Sequence, residues 1–518
     1  MTRKHLVGRR AAKFLSDLQF AVLASAALTA CGGGDTTEAP DLVAAMAAVQ
    51  DELMPTYHLA PVELADPSEG DQDPLVARTA PVLEGMASLS TALLSTDVIS
   101  QYTQELASTN VPAVRRQAAT PAATTTNVVL YTPAQIRAAY QLPVANATIP
   151  VSSSDRAALG AGQTIYLVDA YDNPNALIDL NTFSKAFGLP LCTNVTVAAS
   201  ATLPLAPAST TAGCTFSVVY AGATSGRVAT PPAYNASWAT EIALDVQSAH
   251  AIAPLARIVL IEAPSSFVSA LGNGVMIANA MGPGVVSMSF ASPERPWVTS
   301  LESLFTGKGM QYTAATGDSG AQVNWPAVSQ HVLATGGTTL KLSGANRSET
   351  AWAKSGGGTS AYITVPTYQA ALSPAVAMRR VPDVAFDSDP YTGQYLALTA
   401  PGKTVSYFSA GGTSIASPQW AGLLAITAAQ RALSGLPTLT SVQSALYLNL
   451  LPSANAYSLA FFDVLTGTNG TCLSCAAAKG YDATTGMGTP NSTYLVGQLA
   501  SIEQQLATGP GGATFTPR

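Results

Sequence analysis

Between Ser409 and Leu424 the chain reads Ser-Ala-Gly-Gly-Thr-Ser-Ile-Ala-Ser-Pro-Gln-Trp-Ala-Gly-Leu-Leu, and the apolar run continues through Ala432. Two glycines ahead of Thr413 and Ser414 let the backbone take a positive φ or come close to a bound chain. Pro418 is expected in the first turn of a helix, where its missing N–H is not needed. A hydroxyl delivered to a helix N-terminus sits in a positive field that favours anionic character, the setting of an activated nucleophile. The same residues also fit a Ser/Thr cap on a core helix. What Ser414 does depends on which base reaches it.

Histidine is a poor source of that base. The chain has four: His5, His58, His250 and His331. His5 follows the first basic residues, and His58 falls in a region read below as spacer or propeptide, away from the chemistry. His250 ends a helical pattern, and His331 precedes a strand. Gly317-Asp318-Ser319-Gly320 has the form of a chymotrypsin-like nucleophile loop, but that arrangement needs an Asp between His250 and Ser319, and Asp318 alone lies there. The alternation of elements also contradicts a double β-barrel.

Carboxylates answer better. Glu241 and Asp245 stand four apart in Ser237-Trp-Ala-Thr-Glu-Ile-Ala-Leu-Asp-Val-Gln, on one face of a helix. Trp238, Ile242, Leu244 and Val246 around them predict a buried helix. Two buried carboxyls side by side do not both ionise; they share a proton, and one can then serve as a base. Imidazole is mostly protonated below about pH 6.5, so a Ser–carboxylate pair is chemistry for acid solution. Taken alone, the pair also fits a structural role.

The elements that must position these groups alternate. Strands are expected over Thr164–Asp169, Arg257–Glu262, Val285–Phe290 and Met310–Thr316. Helices are expected over Ala176–Phe187, Ser237–Ala253 and Phe267–Met281. Continuous apolar strands between helices predict an α/β fold with a parallel sheet covered on both faces. In such a sheet, sites form beyond the carboxyl ends of the strands. Asp318 and Ser414 both follow apolar segments at such turns, and Asp169 and Asp172 are read as cleft-rim residues without a role.

Composition narrows the class. Of 518 residues, 47% are hydrophobic and 11% charged, with net charge −7, well under the usual quarter of charged residues. Residues 1–30 hold five basic side chains and one acidic one, so the chain beyond them stands at −11. That balance argues against nucleic acid. Arg3 to Lys13 followed by the apolar stretch Phe20–Leu28 reads as an export signal too short to span a bilayer. Leu28-Thr29-Ala30-Cys31-Gly32 resembles a bacterial lipoprotein signal with Cys31 as the lipidated residue. Export to an oxidising envelope fits the remaining cysteines, and proximity favours the pairs Cys192–Cys214 and Cys472–Cys475.

Residues 31–126 have another texture, Ala-rich, Thr-rich and acidic, with helical patches over Asp41–Leu53 and Val82–Leu106 and a low-complexity run at Gln117–Thr126. We read them as linker or propeptide. Residues 127–503 are the expected catalytic domain and 504–518 a tail.

From Val128 to Glu503 the chain resembles the sedolisin family of serine-carboxyl peptidases. The resemblance rests on ordered segments: Tyr131-Thr-Pro-Ala-Gln-Ile-Arg, Glu241-x-x-x-Asp245-x-Gln247, Ala253-Pro254, Thr316-Gly-Asp318-Ser-Gly-Ala and Ala334-Thr-Gly-Gly-Thr338. Further on come Ser355-Gly-Gly-Gly-Thr-Ser360, Val381-Pro-Asp-Val384, Gly411-Gly-Thr-Ser414 and Gly480-Tyr-Asp-Ala-Thr-Thr-Gly-Met-Gly-Thr-Pro-Asn491. It implies a subtilisin-like fold in which Ser414 is the nucleophile, Glu241 its base and Asp245 the partner of Glu241. Asp318 is implied as a protonated carboxyl in the oxyanion hole, which calls for acid. It also implies one calcium site built from the Asp463 and Asp482 carboxylates and the main chain at Val464, Ala478 and Gly480, a donor set of hard oxygens. Ala478 stands where the family usually has glycine. Ser289-Phe-Ala stands where it usually has Ser-Trp-Gly.

The expectation is therefore an exported, acid-acting endopeptidase or tripeptidyl-peptidase. It would be monomeric, would act on proteins or peptides, and would touch a membrane only through Cys31. The competing readings are a non-catalytic surface lipoprotein that keeps the fold for binding, and a neutral subtilisin-like protease, which lacks a suitably placed histidine.

Overall fold

A computed structural model describes residues 38–60, 64, 66–67, 78–81, 127–372 and 374–503. The signal segment, Cys31, the patch over Val82–Leu106 and the 504–518 tail lie outside them.

The elements that position the site begin with helix α1 (Glu38–Ala48) and two short strands, β1 (Met54–Pro55) and β2 (His58–Leu59). Then come β3 (Thr164–Ala170), α2 (Ala176–Ala186), β4 (Thr215–Ala221), α3 (Ala236–Ile252), β5 (Arg257–Ala263) and α4 (Val268–Met281). Strands β6 (Gly284–Met288), β7 (Phe290–Pro293), β8 (Met310–Ala315), β9 (Leu333–Ser343), β10 (Asn346–Ala351), β11 (Val384–Asp387), β12 (Gln394–Leu398) and β13 (Ser406–Gly411) follow. The long helix α5 (Thr413–Leu433) comes directly after β13.

A sheet of ten strands among the described residues forms the centre. Its inner order is β9-β8-β6-β3-β5-β4, every pair parallel. Strand β11 adds in parallel to β9, and β10 closes that edge antiparallel. The strands are apolar throughout because helices cover both faces. Ile165, Leu167, Ile258 and Leu260 face a core with α3 and α5, while Tyr166, Val168, Val259 and Ile261 face one with α4. The chain starts the sheet at β3, builds to one side with β4 and β5, then crosses to β6. The crevice at that reversal is where a ligand site forms.

The expected strands and helices appear with ends shifted by a residue or two. The one break is at Val285–Phe290: β6 stops at Met288, Ser289 is unpaired, and β7 leaves the sheet to pair elsewhere. Pro418 also departs from expectation. It is the sixth residue of α5, not in the first turn, so the Ser414 carbonyl loses its helical N–H. The Ser289 hydroxyl donates to that carbonyl at 3.2 Å instead. Helix α5 is anchored to the sheet by Ser417, whose Oγ lies 2.9 Å from Ser287 Oγ and 3.0 Å from Thr313 Oγ1. Helices α3 and α5 cross closely because residue 422 is glycine; a Cβ there would meet Ile252 at 2.7 Å.

The cysteines pair as proximity favoured, Cys192 with Cys214 and Cys472 with Cys475. The patch expected over Asp41–Leu53 forms α1 and then turns extended. Among the described residues, no helix is long and apolar enough to cross a membrane.

Candidate active site

Helix α5 begins at Gly412 with φ +105°, a conformation that disfavours a side chain. A Cβ at this position would collide with the Thr56 carbonyl oxygen, the Tyr57 Cα and Asp318 Oδ2. Gly412 is therefore the point where the turn before Ser414, the 318 loop and the N-terminal segment meet.

Ser414 is buried at the second position of α5. Its hydroxyl donates to Glu241 Oε2 at 2.9 Å across the α3–α5 crossing and lies 3.2 Å from the Ser289 carbonyl. Glu241 and Asp245 are fully buried one turn apart on α3. Beneath them lies Asp169, at the end of β3, also fully buried. It is not a rim residue; Asp172 is half-buried nearby. Glu241 Oε1 and both oxygens of Asp245 and of Asp169 have no donor among the described residues. Burial pushes the Glu241 carboxyl far above the usual range, with the charges of Asp245 and Asp169 adding to it. Burial and the neighbouring Asp169 do the same to Asp245, and burial alone raises Asp169. Three acids so placed hold protons among themselves, which satisfies oxygens that no N–H reaches.

Asp318 follows β8 and is held by Thr413. The Thr413 N–H and hydroxyl both donate to Oδ1, at 2.9 and 2.7 Å, while the Gly317 N–H donates to Thr413 Oγ1 at 3.0 Å. Burial lifts the Asp318 carboxyl to about 7, so in acid it carries a proton on Oδ2. That oxygen lies 3.3 Å from His58 Nε2. Burial, then the charge of Lys354, lowers the His58 imidazole to about 3. Both groups are thus neutral in acid, and Asp318 Oδ2 has no hydrogen-bond partner among the described residues.

The other two described histidines stay out of the site. His250 is buried with Nε2 2.8 Å from the Pro190 carbonyl, and His331 is exposed. Sequence reasoning passed over four contributors: Asp169, whose depth a strand end does not announce; Ser289, placed by the break after β6; and Thr56 and His58, which reach the site through tertiary pairing.

Asp463 and Asp482 come together at a second place. The Gly480 N–H donates to both Asp463 oxygens at 3.2 and 2.9 Å, and the Ala478 N–H donates to Asp482 Oδ2 at 3.0 Å. The Tyr457 hydroxyl and the Thr484 and Thr485 N–H groups supply further donors. Val464 beside them is fully buried. Gly480 takes φ +79°, whereas Ala478 does not need a positive φ, so alanine is tolerated there. The two carboxylates are hard oxygen ligands of the type a cation such as calcium takes, and here they accept from the N–H groups of Ala478, Gly480, Thr484 and Thr485.

No family model matches the chain. It is 30% identical over 301 residues to kumamolisin from Bacillus sp. (strain MN-32), covering 51% of this chain and 51% of that protein. It is 31% identical over 210 residues to sedolisin from Pseudomonas sp. (strain 101), covering 35% of this chain and 32% of that protein. The alignments thus span about half or less of these curated relatives. Among solved structures it resembles Pseudomonas sedolisin, a serine-carboxyl proteinase complexed with two molecules of pseudo-iodotyrostatin. The TM-score is 0.55 at 24% identity, covering 72% of this chain and 98% of that one, a likeness of fold.

Proposed function

The chain belongs to the sedolisin family, and from that premise we propose that it is a serine-carboxyl peptidase that hydrolyses peptide bonds in acid. The observation that carries the reading is the 2.9 Å hydrogen bond from the Ser414 hydroxyl to a buried carboxyl, Glu241. Ser414 attacks the substrate carbonyl and passes its proton to Glu241. Asp245 and Asp169 hold the two remaining protons of the cluster, so that one negative charge is available at Glu241. The Ser414 N–H and the protonated Asp318 carboxyl stabilise the oxyanion. Glu241 then returns the proton to the leaving amine.

The reading favours an endopeptidase. Upstream of Thr56, whose carbonyl accepts from the Ser414 N–H, the chain's own segment continues past Met54, with the Leu53 N–H on the Ser266 carbonyl and Glu52 paired with Phe267. A tripeptidyl-peptidase would need a wall there. We also assign Asp463, Asp482 and the carbonyls of Val464, Ala478 and Gly480 to one structural calcium ion. When bound, it would brace the turn electrostatically. A rise in melting temperature on adding calcium, absent in Asp463→Ala, checks this. Export rests on the N-terminal sequence and the disulfides, with 31–126 as the segment preceding the peptidase domain at 127–503.

The test is cleavage of casein and of an N-acetylated peptide near pH 4, the ordinary carboxyl range. Wild type is expected to cut both and Ser414→Ala neither. Equal activity in the two proteins would end the peptidase reading and leave the non-catalytic one. Failure on the acetylated peptide alone would indicate a tripeptidyl-peptidase.

A further inference from the structure

A row of side chains crosses the carboxyl ends of the central strands beneath α3. Asp169 on β3 stands in register with Glu262 on β5, and Glu262 in register with Tyr220 on β4. Side chains alternate along a strand, so all three fall on the face that Leu167, Leu260 and Val218 turn toward α3. Asp169 belongs to the acid cluster already described. Glu262 is equally buried and has no part in the chemistry derived so far. The Asn173 N–H donates to Glu262 Oε1 at 3.1 Å, while Oε2 has no donor among the described residues. Burial holds this carboxyl well above the usual range, and the charges of Asp172 and Asp169 add to it.

The loop after β3 is bent to bring Asp172 there. Tyr171 has φ +63°, a left-handed conformation rare for a bulky side chain and kept only where the surroundings enforce it. The Tyr171 N–H donates to the Ala263 carbonyl at 2.7 Å, and the Asp172 N–H donates to the Ala233 carbonyl at 3.0 Å. The Asn173 side-chain amide donates to the Ala239 carbonyl at 3.0 Å, two residues before Glu241 on α3. The loop therefore ties the end of β5 to the helix that carries the base. The Asp172 and Glu262 carboxyls are close enough to share a hydrogen bond, so one of them must carry a proton. Asp172 is half-buried and bears a charge more easily than Glu262. The shared proton thus rests on Glu262 Oε2, which donates outward.

We propose that Asp172 and Glu262 are a second carboxyl pair that positions the charge of the catalytic acids: its one negative charge keeps Asp169 protonated and leaves Glu241, where Ser414 bonds, as the seat of the cluster's own charge. The inference rests on the peptidase reading above. The groups that bear on Glu262 are Asp169 from β3, Asp172 from the loop, and Tyr220 from β4, a phenol that stays neutral in acid. From α3, Glu241 and Asp245 both feel Asp169. A like charge disfavours ionisation of the acid beside it. With the pair charged, Asp169 is the worst place for a second charge. Glu241, which accepts the Ser414 hydroxyl at 2.9 Å, is the best. Neither Asp172 nor Glu262 touches the reacting atoms; both are positioning residues that act through Asp169.

The experiment compares the pH dependence of kcat and kcat/KM on an N-acetylated peptide for wild type, Asp172→Asn, Glu262→Gln and the double variant. The amides keep shape and hydrogen bonding, and the double variant removes the pair's charge whichever acid carries it. Its acid limb in kcat/KM should move to lower pH by about half a unit or more, because the cluster ionises more readily without a like charge beside it. At the optimum kcat should fall by about threefold to tenfold, as the cluster's charge spends time on Asp169, with KM within about twofold of wild type. Asp172→Asn alone should reproduce the shift, whereas Glu262→Gln, which leaves Asp172 charged, should stay near wild type. A pair that only braces the fold would lower the melting temperature and the height of the profile without moving its limb. That result, or an unmoved profile in the double variant, overturns the inference and leaves the peptidase reading standing. If wild type leaves the peptide as uncut as Ser414→Ala does, both fall.

Discussion

Two buried charged clusters, one beside β9 and one at the end of β3, are built on opposite terms. In one, Arg379 forks onto Asp383, NH1 to Oδ1 at 2.8 Å and NH2 to Oδ2 at 2.7 Å, both side chains fully buried. The Tyr447 hydroxyl adds a bond to Oδ1 at 2.7 Å, and the Ala334 N–H adds one to Oδ2 at 2.8 Å. Both carboxylate oxygens are met twice. In the other, Asp169, Glu241 and Asp245 are equally buried, yet five of their six oxygens lack a donor among the described residues. The first cluster pairs every carboxylate oxygen with a cation or a hydrogen-bond donor. The second has no countercharge and must keep its protons in play. Burial is the same in both, so burial alone does not mark the functional site; three acids crowded together without a countercharge do.

The largest test of that contrast sets one variant of each cluster side by side. Arg379→Met leaves Asp383 buried without its cation and should cost about 3–5 kcal/mol in denaturant unfolding. Glu241→Gln removes a buried carboxyl charge that has no cation beside it, so unfolding free energy should change little or rise. Its peptidase activity should fall by about a hundredfold or more, the scale of a lost general base. If Glu241→Gln destabilises as much as Arg379→Met, the two clusters serve the same purpose and the contrast is wrong.

Much of this arrangement was legible before any coordinates. Strands such as Thr164–Ala170 read directly because a parallel strand buried on both faces must be apolar throughout. The Glu241–Asp245 pair read directly because helical spacing alone stacks them. What hid the rest is that it depends on distance in space. Strand β2 is two residues long, and nothing in His58-Leu59 forecasts pairing with β13, so His58 looked like part of a spacer. Asp169 ends a strand, where a rim position and a buried one have the same local sequence. Pro418 fits a first turn by its own chemistry, and only Ser289 on another element lets it sit deeper.

A second test uses pH. A buried acid with a raised folded-state pKa contributes stability in full below its unfolded value near 4, and this is lost as pH climbs through the folded value. Asp318 reaches about 7, and burial lifts the Asp169 cluster as well. His58 and His250 act in the other sense: lowered to about 3 and about 4, they contribute above pH 6.5 and lose that contribution as pH falls toward those values. Acids outnumber histidines, so the melting temperature should be roughly 5 °C or more higher at pH 5 than at pH 8. Asp169→Asn should flatten that slope, whereas Arg379→Met should lower the whole curve without flattening it. A profile that rises toward pH 8 in wild type would show that the cluster is ionised when folded.

The smallest test concerns a met acceptor inside the catalytic region. The Ser414 carbonyl would be left bare by Pro418 and is reached by the Ser289 hydroxyl. In Ser289→Ala that buried carbonyl loses its donor, at a cost of about 1–3 kcal/mol. The Ser289 main-chain carbonyl stays in place and still accepts the Thr56 N–H, so turnover should stay within about tenfold of wild type, close to what one neutral hydrogen bond is worth. Pro418→Ala supplies the helical N–H that the turn lacks, and in the double variant it should restore most of the lost stability. That rescue would separate a donor used to hold the backbone from one used in the chemistry. If Pro418→Ala instead fails to rescue while activity collapses, Ser289 belongs with the acids and not with the scaffold around them.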